Sequence, residues 1–155
     1  MLFRSLMNES GLCAFATRLA GQLQTPVVIY LEGDLGAGKT TFCRALIQSL
    51  GHVGRVKSPT YGLLERYDLR SGNALHLDLY RIGDPGELEY LAITDLFEDS
   101  TILLVEWPER GQGALPMPDL TISLKHEHDK RFVSLKADSR RGYAVCRAST
   151  DTAFN

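Results

Sequence analysis

Three features of the chain predict an α/β protein with a mixed sheet, a parallel core, antiparallel hairpins and flanking helices. The run Val27–Glu32 is apolar almost throughout, as in a strand buried on both faces, and leads into a glycine turn and then a helical pattern. A second buried run, Thr101–Glu106, ends in a carboxylate. Two alternating segment pairs, around Ser71-Gly72-Asn73 and around His126–Lys130, read as β-hairpins. Strand, glycine turn, helix and a later buried strand make a parallel central sheet, and the hairpins add antiparallel strands at its edges.

Composition narrows the class further. The 155 residues suit one domain with a core that needs no disulfide or structural metal. With 44% hydrophobic and 23% charged residues, the chain is neither disordered, collagen-like nor a coiled coil. Seventeen Lys+Arg against nineteen Asp+Glu leave a net charge of −2, which argues against nucleic acid, DNA included, held on a large basic face. No apolar run approaches the roughly 20 residues that span a bilayer. No secretory core interrupts the N-terminal Arg4, Asn8 and Glu9. Three scattered cysteines without CxxC read as free thiols in a reducing, cytoplasmic setting.

The elements follow in order. Asn8 is a good N-cap, and Leu12, Phe15, Ala16, Leu19 and Leu23 then fall at helical spacing, with Pro26 as the stop. After the strand Val27–Glu32 and the turn Gly33–Gly38, Lys39–Leu50 reads as a helix closed by Gly51. Val53–Pro59 reads as loop. Tyr61, Leu63, Glu65, Tyr67 and Leu69 alternate, and so do Leu75, Leu77 and Leu79 with His76, Asp78 and Tyr80. One face of that second strand is all leucine and the other carries groups capable of chemistry. Asp84-Pro85 opens another helix toward Ala92, with a short helical piece near Asp95–Phe97. Trp107–Pro118 is a Gly/Pro-rich loop. Leu120–Lys125 and Phe132–Lys136 form the second hairpin, and residues 150–155 are expected to fray.

Gly33-Asp34-Leu35-Gly36-Ala37-Gly38-Lys39-Thr40 matches G-x-x-x-x-G-K-[ST]. Glycines there let backbone N–H groups converge on phosphate oxygens, and the following helix offers its positive end. Lys39 is placed to reach the β- and γ-phosphates, Thr40 to offer a hydroxyl to Mg²⁺, and Thr41 to contact the α-phosphate side. A strand before and a helix after meet the motif's demands, so a P-loop NTPase-like fold binding a nucleoside triphosphate is expected.

Such a site needs an acid near Mg²⁺ at the end of a neighbouring strand. Glu106 is the best candidate, since carboxyl ends of parallel strands line the ligand crevice. Asp78 is a second candidate, balanced against a plain surface-strand residue. Thr60, in Lys57-Ser58-Pro59-Thr60, could feel the γ-phosphate–Mg²⁺ unit as switch loops do, or simply follow a proline in a turn. Trp107 either walls the pocket or packs in the core. His126 and His128 read as a solvated hairpin end rather than a metal site.

Four motifs in register resemble one family. Leu31 to Phe42 is similar to the P-loop of the TsaE (formerly YjeE) family, the bacterial ATPases of tRNA threonylcarbamoyladenosine synthesis. Ser58-Pro59-Thr60-Tyr61, His76-Leu77-Asp78-Leu79-Tyr80-Arg81 and Val105-Glu106-Trp107-Pro108-Glu109 follow in the family's order. The resemblance covers about residues 8 to 135, and the segment beyond Ala137 matches no pattern. It implies a single ATPase domain over 1–155 that works with TsaB and TsaD. Those partners transfer threonylcarbamoyl to N6 of adenosine 37 in tRNAs reading ANN codons. The chain would meet tRNA only through that complex, and its ATP hydrolysis would reset the assembly between turnovers. By similarity, Asp34, Leu35, Gly36, Ala37, Gly38, Lys39, Thr40, Thr41 and Trp107 contact ATP. Thr40, Glu106 and Asp78 serve Mg²⁺, Lys39 and the two acids serve hydrolysis, and Thr60 is switch-like. Which acid touches the metal directly does not follow from the resemblance.

Rival readings are a small-molecule kinase and a silent nucleotide-binding adaptor. Arg81 and Arg110 are available to a kinase, but no Arg-rich lid stands out. A GTP switch lacks its N-K-x-D and D-x-x-G signatures.

Overall fold

The structure is a computed structural model, and it describes residues 2–57, 63–91 and 93–151. A seven-stranded sheet runs β1 (Leu2–Met7), β7 (Lys130–Ala137), β6 (Leu120–Glu127), β2 (Val27–Glu32), β5 (Thr101–Glu106), β4 (Gly72–Asp78) and β3 (Leu64–Leu69). Strands β6, β2, β5 and β4 are mutually parallel, and β7, β1 and β3 join antiparallel. This is the predicted mixed sheet, with one refinement. Each hairpin contributes a strand to the parallel core, β4 beside β5 and β6 beside β2, so only β3 and the pair β7–β1 are additions. Both hairpins are tight, turning at Arg70-Ser71 and His128-Asp129.

Helix α1 (Glu9–Ala20) begins as expected, with Asn8 Oδ1 accepting from Gly11 N at 2.8 Å. It ends at Ala20, several residues before Pro26, because Gly21 caps the last turn through Thr17 and Leu19 carbonyls. Helix α2 (Lys39–Ser49) follows the glycine turn. The segment after Asp84 is 3₁₀ rather than α-helical over Pro85–Leu91, with Asp84 Oδ1 accepting from Gly86 N. It leads to the one-turn helix α3 (Ile93–Leu96).

Two core layers flank the sheet. On one face Phe15, Leu19, Phe42, Leu46 and Ile47 pack against Ile29, Leu31, Leu104, Ile122 and Leu135. On the other, Leu75, Leu77, Leu79, Leu103 and Val105 pack under Ile82, Leu88 and Ile93. The all-leucine face of β4 therefore lies beneath the 3₁₀ segment, and its chemical face turns toward α2.

Two elements were not foreseen. Strand β1 pairs with β7 from Leu2↔Lys136 to Met7↔Arg131; its outer side chains stay exposed, so it carries no core run to announce it. Helix α4 (Arg140–Asp151) packs Val145 and Cys146 into the first core layer. It approaches β6 so closely that a Cβ on Gly142 would overlap the Asp119 carbonyl. Fraying was expected from residue 150, but Thr150 is a buried helical residue whose hydroxyl donates to Cys146 O. No helix among the described residues is long and apolar enough to cross a membrane.

Candidate functional site

Strand β2 ends at Glu32, and the chain then turns through Gly33, Gly36 and Gly38 at φ of +149°, +76° and +110°. L side chains rarely adopt that region, which is why glycine recurs there. At Gly33 space also forbids a side chain, since a Cβ would lie 2.4 Å from the Leu124 carbonyl oxygen of β6. The loop is thus seated on the parallel neighbour of β2. Gly38 caps α2 without any side-chain hydrogen bond, leaving the helix's first N–H groups to face the cleft.

That cleft holds about 500 Å³ and is lined by Leu35 to Thr41, by Asp78, Tyr80, Arg81, Glu106 and Trp107 on one side, and by Glu9, Leu12 and Arg131 on the other. Lys39 is nearly enclosed. Its ammonium donates to Gly33 O and to Asp34 O, the latter at 3.0 Å, and sits 4.0 Å above the Trp107 ring. Burial holds its pKa below the ordinary lysine value, against the opposing pull of Glu106, Asp78, Glu109 and Asp34.

The acids converge from adjacent strands. The β4–β5 register pairs Asp78 with Glu106, both at the carboxyl ends of their strands. Glu106 is only 2% exposed. Its two oxygens accept from Thr40 Oγ1 at 3.0 and 3.1 Å, and Oε2 also meets His76 Nε2 at 2.6 Å. Asp78 Oδ1 accepts from Tyr80 N at 3.0 Å. Burial raises the Asp78 pKa, a shift opposed by that N–H and reinforced by the negative Glu106. Cys43 lies under the acids, fully buried, with its thiol pKa pushed well up by burial and by Glu106 and Asp78.

The two balanced readings now acquire geometry. Asp78 lines the cleft beside Glu106 instead of sitting on a surface strand. Trp107 lines the cleft and also packs against the second core layer, with Tyr80 at 5.0 Å and the Arg110 guanidinium at 5.4 Å. Asp34 contributes its carbonyl, to Lys39 and to Ala37 N, while the lining starts at Leu35. Thr60, with Ser58, Pro59 and Tyr61, lies outside the described residues. His126 lies exposed at the hairpin end, as expected, and its Nε2 meets Gly36 O at 2.6 Å, which ties the β6–β7 hairpin to the loop.

Sequence reasoning missed several participants. His76 stood out only as one of the groups on the chemical face of β4, and its contact with Glu106 comes from the pairing of β4 with β5. Glu9, Leu12 and Arg131 had no signal, because they reach the cleft only through the packing of α1 and β7. The donor set suits the groups expected here. Thr40 and two carboxylates offer hard oxygens of the kind Mg²⁺ takes. A glycine loop before an open helix N-terminus suits a phosphate. Lys39, Thr40 and the loop would hold the phosphates, and Thr40, Glu106 and Asp78 the metal.

Strand, glycine loop, helix and an acid closing the adjacent parallel strand define a P-loop NTPase-like α/β fold. The sequence model described as threonylcarbamoyl adenosine biosynthesis protein TsaE matches residues 6–133, and the chain belongs to the TsaE family. It is 45% identical to the tRNA threonylcarbamoyladenosine biosynthesis protein TsaE of Haemophilus influenzae, over 95% of this chain and 96% of that one. Identity to the Bacillus subtilis protein of the same name is 36%, over 90% of this chain and 88% of the relative. The crystal structure of Bacillus subtilis YdiB superposes with a TM-score of 0.80 at 28% identity, covering 99% of this chain and 95% of that one.

Proposed function

We propose that the chain is a Mg²⁺-dependent ATPase of tRNA threonylcarbamoyladenosine synthesis, acting as one cytoplasmic domain in complex with TsaB and TsaD. The observation that carries the ATPase reading is the meeting of Thr40 and Glu106 in a cleft walled by a glycine loop. Family membership and the names of its relatives support the pathway. The near-neutral charge agrees with a component that meets tRNA only through its partners.

The residues divide the work. The loop's N–H groups and Lys39 bind the triphosphate, and a bound Mg²⁺ would neutralise charge developing on the γ-phosphoryl group. Glu106 holds the Thr40 hydroxyl in place from below. Asp78, whose pKa is raised by burial, stands ready to orient water or accept its proton. Trp107 covers the Lys39 ammonium, and Tyr80 packs against the Trp107 ring.

Thr60 is proposed to couple nucleotide state to partner binding. A loop ordered by γ-phosphate and Mg²⁺ presents a different surface with ATP than with ADP. Linkage is reciprocal, so partners preferring one state shift nucleotide affinity equally. Titration of labelled protein against a TsaB–TsaD complex should give tighter binding with an ATP analogue than with ADP or no nucleotide. Phosphate release should rise when the partners are added. Equal affinities in all three states, with no gain in turnover, would refute the partnered ATPase and leave the silent adaptor.

A further inference from the structure

His76 has no solvent exposure, and it stands in β4 on the same face as Asp78, one pleat below Glu106. Its Nε2 lies 2.6 Å from Glu106 Oε2. A carboxylate only accepts, so Nε2 carries the shared proton and donates it. The other ring nitrogen, Nδ1, is buried without a hydrogen-bond partner among the described residues. Leaving a polar atom so placed is destabilising, a cost that an apolar side chain of similar shape would avoid. Packing alone is therefore a poor reason for a histidine here.

Its bond to Glu106 is a better one. Thr40 divides its hydroxyl almost equally between the two Glu106 oxygens, at 3.0 and 3.1 Å, and so does not by itself choose a carboxylate rotation. His76 adds a second, shorter bond to Oε2 alone. We propose that His76 is a positioning residue, whose Nε2–H locks the Glu106 carboxylate so that Glu106 and Thr40 present their oxygens together to the divalent cation. The role rests on the Mg²⁺-nucleotide reading of the cleft. Groups that orient metal-binding side chains from behind typically contribute 10–100-fold to metal affinity.

The test compares His76→Gln, His76→Asn and His76→Leu in the full chain. A glutamine amide reaches the position of Nε2, whereas an asparagine amide reaches only that of Nδ1. Mn²⁺ affinity in the presence of ADP is read by electron paramagnetic resonance. Metal-free ADP affinity is read from Trp107, the sole tryptophan. Leu and Asn should weaken Mn²⁺ binding by about tenfold or more, Gln should recover most of it, and metal-free ADP affinity should hold in all three. A folded His76→Leu protein with wild-type Mn²⁺ affinity would overturn the proposal. If that variant does not fold, equal Mn²⁺ affinities for Gln and Asn would do so. A wild-type protein that binds neither ADP nor Mn²⁺–ADP would sink the nucleotide reading itself. Indifferent variants of a wild type that binds both would sink only the role of His76.

Discussion

Thr40 and Glu106 are 66 positions apart, yet the Thr40 hydroxyl donates to both oxygens of the Glu106 carboxylate, at 3.0 and 3.1 Å. The bond joins the first turn of α2 to the end of β5, and so ties the glycine loop to the adjacent parallel strand. Removing the carboxylate leaves the loop's N–H cradle in place but takes away the partner of Thr40. Glu106→Ala should lower metal-dependent phosphate release by about 100-fold or more while nucleotide affinity without metal changes only a few-fold. Matched losses of binding and turnover would show instead that Glu106 shapes the cleft as a whole.

Lys39 holds a desolvated charge against loop carbonyls and the face of Trp107. Its lowered pKa means that the folded state disfavours the cation, so Lys39→Met should leave the melting temperature equal or higher. The same change should weaken ATP binding on the order of 100-fold, about 3 kcal/mol, because a charged donor to phosphate is lost. Calorimetric titration and thermal melts on one preparation check both halves.

Asp78 predicts a trade-off with a definite sign. Its folded pKa is raised above the ordinary 3.8, so between those values the native state binds more protons than the unfolded chain. Stability from this group is present at acid pH and is lost as pH rises through the raised value. At neutral pH the ionised carboxylate is a net cost, and Asp78→Asn should raise the melting temperature while lowering turnover with partners present. The gain should shrink as pH is brought down toward 4. Wild-type turnover in Asp78→Asn would return this residue to a purely structural role.

Gly33 is held by both conformation and space. At φ +149°, with the Leu124 carbonyl 2.4 Å from any Cβ, Gly33→Ala must push the loop off β6. The cost should be about 1–3 kcal/mol in denaturant unfolding, with nucleotide affinity falling alongside. An alanine variant of unchanged stability would mean that the loop is not seated on β6 as described.

His126 offers a milder test of the same seat. Its Nε2 meets Gly36 O from an exposed hairpin end, where one hydrogen bond contributes about 0.5–1.5 kcal/mol. His126→Ala should therefore weaken nucleotide binding less than tenfold and leave the fold intact, as read by Trp107 fluorescence and circular dichroism.

The glycine loop, the two buried strands Val27–Glu32 and Thr101–Glu106, and the helix after Lys39 were all legible along the chain. Their signals are local: an apolar run, a glycine turn of fixed spacing, a helical period. The cleft residues of the loop itself, with Thr40 and Glu106, were legible for the same reason, whereas Glu9, Leu12 and Arg131 were not. Tertiary structure decided what depends on partners distant in sequence. The alternation in β4 shows two faces but not a neighbour; parallel pairing with β5 is what sets Asp78 against Glu106 and buries His76 beneath it. Strand β1 exists because β7 offers it an edge, and α4 because β7 and α1 leave room for Val145 and Cys146. Arg131 and Glu9 enter the cleft for no reason visible near them in the chain. Local propensity and spacing specify elements and loops, whereas register and packing are long-range choices, settled by which faces can be buried together.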